Sequence, residues 1–113
     1  MTNNNQPMCK TDGSGTQYWF LNDQLHREDG PAVDYLNGSK LWYLHGKPHR
    51  LDGPAAEYAT GSKHWYLDGQ RHRLDGPAAE FANGIKSWYY YGKLMSCSSQ
   101  EEFERLIKLK ALW

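Results

Sequence analysis

The sequence lacks several features that mark common classes of protein. It has two cysteines, Cys9 and Cys97, and neither belongs to a C-x-x-C pair, so a cysteine-based zinc site or a disulfide framework is not indicated. It also lacks a hydrophobic signal segment and any apolar run near the ~20 residues of a membrane-spanning helix. These absences predict a reduced, cytoplasmic protein with no cofactor and no membrane span.

Charge of one sign is not in excess either. Thirteen Lys and Arg residues balance 13 Asp and Glu residues, whereas proteins dedicated to nucleic acids usually carry a basic excess. Hydrophobic residues make up 39% of the chain, but aromatic residues reach 14%, with five Trp and eight Tyr. We therefore expect one small domain whose core is built from a few large aromatic side chains, and a partner other than nucleic acid.

The chain repeats itself every 23 residues. Residues 38–60 and 61–83 are identical at 17 of 23 positions, and self-similarity at such a period is typical of a repeat architecture. The predicted units are residues 15–37, 38–60, 61–83 and a half unit at 84–95. The same step of 23 separates the tryptophans Trp19, Trp42, Trp65 and Trp88.

Each unit carries the chemistry of β-strands. The aromatic segment SKLWYL begins directly after Asn37-Gly38, a strong signal for a two-residue hairpin turn. If that turn closes the hairpin, Val33 faces Trp42, and a column of aromatic residues with Tyr35, Tyr58 and Phe81 occupies the tryptophan side. The expected fold is mainly β: an antiparallel β-hairpin repeat, a meander or solenoid of three and a half units.

The two ends of the chain differ from the repeats. Residues 1–14 are polar and rich in turn formers, which predicts a disordered N-terminal tail. After Leu94 the repeat breaks off, and residues 96–113 predict a helix that caps the last unit. Ser98 or Ser99 can cap its N terminus together with a glutamate at the third helical position. Its apolar stripe would comprise Phe103, Leu106, Ile107 and Lys110.

The segment WYLHGKPHRLDGPAAEYATG resembles a variant of the MORN repeat, a 23-residue β-hairpin unit. Trp42, Gly46, His49, Gly53 and Gly61 occupy the positions of the family's Trp, Gly, His, Gly and closing Gly. Gly46 follows Trp42 by four residues instead of three, and Arg50-Leu51-Asp52 replaces a shorter link. The resemblance covers residues 15–105 and implies scaffolding, dimerisation or lipid contacts. The HREDGPA form is similar to small proteins of bacteriophages and bacteria.

A histidine, an arginine and an aspartate stand close together in every full unit and could form a catalytic or metal-binding set. Catalysis requires one unique pocket, however, and a set copied without change is more simply a structural requirement of the unit. Equivalent histidines two strands apart would also lie ~9.6 Å from each other, too far to share one metal ion. We therefore assign structural roles to Trp19, Trp42, Trp65, Trp88, His26, His49, His72, Asp29, Asp52 and Asp75.

The function favoured by these patterns is a non-enzymatic module that binds a protein partner. The resemblance to phage and bacterial proteins implies a sharper variant, a phage factor that inhibits a host defence complex. Specificity would lie in the positions that differ between units and in the exposed tyrosines. Two alternatives stay open: a homo-oligomeric scaffold that pairs through an edge strand around residues 18–21, and a small enzyme or metal protein. The candidate partner-binding residues are Leu41, His64, Ser87, Tyr43, Tyr66, Tyr89, His45, Asp68 and Arg71.

Overall fold

The computed structural model describes residues 6–110, which form short strands followed by one helix. The elements in chain order are β1 (Met8–Thr11), β2 (Gln17–Leu21), β3 (Gln24–Leu25), β4 (Val33–Asp34), β5 (Lys40–Leu41), β6 (Tyr43–Leu44), β7 (Lys47–Pro48), β8 (Ala56–Glu57), β9 (Lys63–His64), β10 (Tyr66–Leu67), β11 (Gln70–Arg71), β12 (Ala79–Glu80), β13 (Lys86–Ser87), β14 (Tyr89–Tyr90), β15 (Lys93–Leu94) and α1 (Gln100–Lys110).

The strands build an open antiparallel meander with two strands per unit in its main sheet. The strand order is β1-β2-β4-β5-β8-β9-β12-β13, with β3 added beside β2. Three separate hairpins, β6-β7, β10-β11 and β14-β15, continue the units on one side. The predicted fold class, an antiparallel β-hairpin repeat followed by a C-terminal helix, is confirmed.

The hairpin at Asn37-Gly38 has a longer loop than predicted. The Tyr35 N–H donates to the Ser39 carbonyl at 2.9 Å, so three residues form the loop, and Gly38 has a φ of 96°. Three-residue loops commonly place a glycine in this left-handed conformation. The register is therefore shifted by one residue, so that Val33 lies opposite Leu41 and not Trp42.

Two-residue turns occur instead at the other end of each unit. Tyr43 pairs with Pro48 and Leu44 with Lys47, which leaves His45 and Gly46 as the turn. Their φ values of 50° and 79° are both positive, as a type I′ turn requires. Between the two hairpins the strand bends at its tryptophan, and the Trp42 N–H donates to the Ala55 carbonyl at 2.7 Å.

The core is thin and consists mostly of small side chains. The molecule measures 53 × 34 × 17 Å, which leaves little depth for burial. Ala55 and Ala56 are buried in one unit and Ala78 and Ala79 in the next. A larger apolar cluster forms at the C-terminal end, where Phe103 of α1 is fully buried against Trp88 and Met95.

The N-terminal end is more ordered than the sequence indicated. In place of the disordered tail predicted for residues 1–14, Met8–Thr11 forms β1, which pairs with β2 from Met8↔Phe20 to Thr11↔Gln17. Asp12 holds the turn, because its Oδ1 accepts hydrogen bonds from the N–H groups of Ser14 and Thr16. Residues 1–5 lie outside the described residues. Because β2 has neighbours on both sides, residues 18–21 are not the edge that the scaffold alternative requires.

The helix begins as the capping pattern predicts. Ser99 is its N-cap, because the Ser99 Oγ accepts a hydrogen bond from the Glu102 N–H at 3.2 Å. The Glu102 carboxylate in turn accepts from the Ser98 hydroxyl at 3.0 Å. Leu106 and Ile107 pack against the cluster around Phe103, as the apolar stripe indicated. The helix is observed from Gln100 to Lys110, and residues 111–113 of the predicted segment lie outside the described residues.

Candidate functional site

The arginine of each H-R-x-D-G-P segment closes its own unit. Arg50 donates from Nε to the Asp52 carboxylate at 3.0 Å and from Nη1 to the Pro54 carbonyl at 3.0 Å. Its guanidinium also stacks 3.8 Å from the centre of the Trp42 ring. Arg27 and Arg73 make the same contacts on Trp19 and Trp65. The arginine, aspartate and tryptophan thus serve to fold the unit.

The glycine of this segment lies tightly against the arginine. A Cβ at Gly76 would lie 2.6 Å from the Cζ of Arg73, and one at Gly53 would lie 3.0 Å from the Cζ of Arg50. Both distances are shorter than ordinary van der Waals contact, so a side chain here would push the guanidinium away from its partners.

The histidine of each segment joins its unit to the next one. The Nδ1 of His49 accepts a hydrogen bond from the Asp68 N–H, and the Nδ1 of His72 accepts one from the Tyr91 N–H, both at 2.9 Å. His26 accepts from the His45 N–H in the same way. A ring nitrogen can accept only when it carries no proton, so this joint requires the neutral form of the histidine.

We expect His72→Ala to lower the free energy of unfolding by about 1–3 kcal/mol at pH 7.5, because the Tyr91 N–H loses its acceptor. His49→Ala should have a comparable effect through the Asp68 N–H, whereas Leu51→Ala, at an exposed position of the same segment, should change stability by less than about 0.5 kcal/mol. Urea denaturation of the three variants measures this. Wild-type stability of His49→Ala or His72→Ala, together with loss of an activity of the protein, would contradict the structural assignment.

Burial also lowers the pKa of His72 below its ordinary value of 6.5. A histidine with a lowered pKa in the folded state contributes stability above its unfolded pKa and loses that contribution as the pH falls. The stability difference between the wild type and His72→Ala should therefore shrink as the pH is lowered from about 6.5. Denaturation at a series of pH values would show this convergence, and a difference that is constant with pH would exclude it.

The repeated set makes the same kind of internal contacts in every full unit. Each histidine, arginine and aspartate is directed at a group within the repeat frame. Within residues 6–110 no three histidine, cysteine, aspartate or glutamate side chains cluster in a way that could hold a metal ion.

A second surface brings together most of the candidate partner-binding residues. Leu41, His64 and Ser87 occupy one row across the main sheet, because each pairs with the alanine or valine of its neighbouring strands. Aromatic side chains stand beside this row. We call this surface the tyrosine face and define it as Leu41, Tyr43, Tyr58, His64, Tyr66, Arg71, Phe81, Ser87 and Tyr89.

The tyrosines of this face lie close enough to influence each other. Burial raises the pKa of the Tyr43 hydroxyl, and neighbouring Tyr58, Tyr35 and Tyr66 raise it further.

The opposite side of the sheet carries a row of alternating charges, in which the partners across the strands are Asp34, Lys40, Glu57, Lys63, Glu80 and Lys86. Arg50 and Arg73 contact Glu57 and Glu80 on that charged side.

His64 and Arg71 lie at the centre of the tyrosine face. His64 is 8% exposed, and its ring meets Tyr58 and Phe81 edge-on, with ring centres 5.9 and 5.3 Å away. Its Nδ1 is buried without a hydrogen-bond partner, as is the Nε of Arg71. Burial and the positive charge of Arg71 lower the pKa of His64, which favours the neutral ring.

Two of the candidate partner-binding residues lie outside the tyrosine face. His45 and Asp68 begin the type I′ turns and cover the histidine of the preceding unit: the His45 ring lies 4.5 Å from the His26 ring, and the Asp68 carboxylate lies 3.5 Å from the His49 Nδ1. Tyr91 fills the same position in the last unit and stacks on His72 at 3.8 Å. These positions vary between units, but their side chains contact the repeat frame.

Two members of the tyrosine face, Tyr58 and Phe81, were missed by sequence reasoning. The predicted register assigned them to the tryptophan side. Tyr58 lies two residues after Ala56, so alternation along the strand places both on one face. The three-residue loop turns that face away from Trp42, and both rings are exposed, at 43% and 39%.

No family model, no curated protein and no solved structure matches this chain. The resemblance to MORN repeats therefore stays a prediction from the sequence. Within the described part of the chain, no helix has the length and apolar character needed to cross a membrane. Function consequently has to be inferred from the geometry of the tyrosine face.

Proposed function

We propose that the protein is a non-enzymatic binding module that holds a protein partner on its tyrosine face. The observation that carries this proposal is the division of roles within the repeat. The H-R-x-D-G-P segments are occupied with internal contacts. The tyrosine face instead gathers aromatic side chains around His64 and Arg71, which stand at positions that differ between units.

The residue types of the tyrosine face support this role. Tyrosine and arginine are enriched among the residues that contribute most to binding at protein interfaces. Tyr58 and Phe81 offer exposed aromatic surface on either side of His64. The row of Leu41, His64 and Ser87 differs from unit to unit on an otherwise constant frame, which is how repeat proteins commonly encode specificity.

The resemblance to small phage and bacterial proteins extends the proposal to the kind of partner. On this basis the protein is a cytoplasmic accessory factor that acts by occupying a host protein complex, such as a defence complex. Affinity purification from a bacterial lysate, followed by mass spectrometry, would identify the complex. Inhibition of its activity by the wild-type protein and not by a tyrosine-face variant would support the inhibitor role.

The binding surface itself is tested by Tyr89→Ala. This change removes an aromatic ring from the tyrosine face and is expected to weaken partner binding at least tenfold, about 1.4 kcal/mol. The matched control is Tyr91→Ala, which removes the same side chain two residues away at a turn. Isothermal titration calorimetry with the captured partner gives both affinities, and circular dichroism verifies that each variant is folded. Equal affinity of Tyr89→Ala and the wild type would contradict the proposal.

A further inference from the structure

Arg71 differs from the other arginines of the chain in having no carboxylate partner. Within residues 6–110 it forms no ion pair, whereas each of the other arginines contacts an aspartate or a glutamate, in the pairs Arg27–Asp29, Arg50–Asp52, Arg73–Asp75 and Arg105–Glu101. Its side chain is nevertheless half-buried and its Nε is fully buried. Partial burial of a guanidinium without an opposite charge is unfavourable, so this arrangement requires an explanation.

Two tyrosines hold the Arg71 guanidinium in place. Its Cζ lies 5.6 Å from the centre of the Tyr66 ring and 5.3 Å from that of Tyr89. Its Nη1 donates to the Tyr89 hydroxyl at 3.4 Å. Contacts of a cation with aromatic rings restrict the position of the charge but do not neutralise it. The arginine is thus held in position on the tyrosine face while its charge stays available.

The repeat does not require an arginine at this position. The equivalent residues of the other units are Leu25, Pro48 and Leu94, and each of them ends the same short strand. Hairpin β10-β11 therefore does not need the charge to form. A half-buried cation that the equivalent positions of the other units lack is better explained by a contact with another molecule.

We infer that the partner presents an aspartate or glutamate carboxylate to Arg71, which pairs with it between Tyr66 and Tyr89. This inference rests on the proposed function. The tyrosine face contains no acidic residue, so its single arginine is complementary to a carboxylate. A nucleic acid would require several cations along its phosphates. The planar fork of arginine suits a carboxylate, and the Tyr89 hydroxyl lies beside it.

A capped heptapeptide of alternating Glu and Ala tests this even while the partner is unidentified. Titration into the ¹⁵N-labelled protein at about 20 mM salt, where charges are weakly screened, should shift the NMR signals of Arg71, Tyr66 and Tyr89. The Gln-for-Glu peptide should cause no such shifts. Arg71→Gln should weaken binding at least tenfold, and Arg71→Lys should retain part of it. The control is Lys63→Gln, which removes an exposed cation from the opposite side of the sheet and should leave binding unchanged.

The inference is overturned if Arg71→Gln binds the Glu peptide as the wild type does, or if no shift depends on Arg71. The inference would also be overturned if an eight-nucleotide oligothymidylate bound at the same residues more tightly than the Glu peptide, because the site would then recognise phosphates. The outcome is separable from that of the proposed function. If a partner requires Tyr89 for binding but tolerates Arg71→Gln, the proposed binding module is supported and only the carboxylate inference is overturned.

Discussion

Replacement of Phe103 by alanine is expected to release the C-terminal helix and to lower the free energy of unfolding by about 3–5 kcal/mol. Phe103 is fully buried against Trp88 and Met95, the largest apolar cluster of the described chain. The last unit has Ser96 where the earlier units have the arginine that stacks on tryptophan. The helix takes over that role, and Trp88 Nε1 donates to Gln100 Oε1 at 2.8 Å.

Urea denaturation followed by tryptophan fluorescence and far-ultraviolet circular dichroism measures this effect. In Phe103→Ala the tryptophan emission should lie at a longer wavelength than in the wild type, because the Trp88 ring becomes accessible to water. Leu109→Ala is the matched control, since Leu109 lies on the same helix with 47% of its surface exposed, and it should cost less than about 0.5 kcal/mol. A Phe103→Ala variant with wild-type stability would show that the helix is not a cap.

Replacement of Arg73 by alanine is expected to lower the free energy of unfolding by about 2–3 kcal/mol, and Arg50→Ala should do the same. Arg73 stacks on Trp65 at 3.8 Å, donates to the Pro77 carbonyl at 3.1 Å and contacts Glu80 at 3.0 Å. Lysine should not restore the loss, because its ammonium group cannot stack and donate in several directions at once.

Thermal and urea denaturation of these variants should be compared with Arg105→Ala. Arg105 forms an exposed ion pair with Glu101 one helical turn away, and such pairs contribute about 0.5 kcal/mol or less. Similar losses at Arg50 and Arg73 would mean that the repeated arginine serves the fold in every copy. A large loss at one copy beside no loss at the other would instead mark that copy as special.

Much of the fold follows from local sequence signals. The period of 23 residues locates the units, the aromatic segments locate the strands, and the pattern from Ser98 to Ile107 locates the helix and its cap. These signals act over a few residues, and the contacts that they specify form within one unit or between neighbours. The periodic sequence therefore carries the strand order of the meander as well.

The register of the Asn37-Gly38 hairpin could not be deduced in this way. Asn-Gly is compatible with loops of two or three residues, and the observed register is accompanied by a contact outside the hairpin. The Oγ of buried Ser39 accepts a hydrogen bond from the Ala59 N–H of the next unit at 2.8 Å. The same bond joins Ser62 and Ala82 at 3.0 Å. A local motif does not reveal a bond that spans 20 residues.

The register also decides on which side of the sheet the candidate residues lie, and this could be deduced only in part. Residues that vary between units, such as His64 and Arg71, are visible in an alignment of the repeats with each other. Tyr58 and Phe81 were placed on the wrong side because the register was wrong by one residue. Strand β1 was missed because its residues are polar, and its order comes from pairing with β2.

The histidine joint has a consequence for how such a chain can change in evolution. Each joint connects a ring in one unit to a backbone N–H 19 residues further on, and it is the same at every step. Unequal recombination between near-identical gene segments would add or remove 23 residues, after which every remaining joint could form again. The tyrosine face would then lengthen or shorten by one whole unit, and new specificity could arise without a new fold.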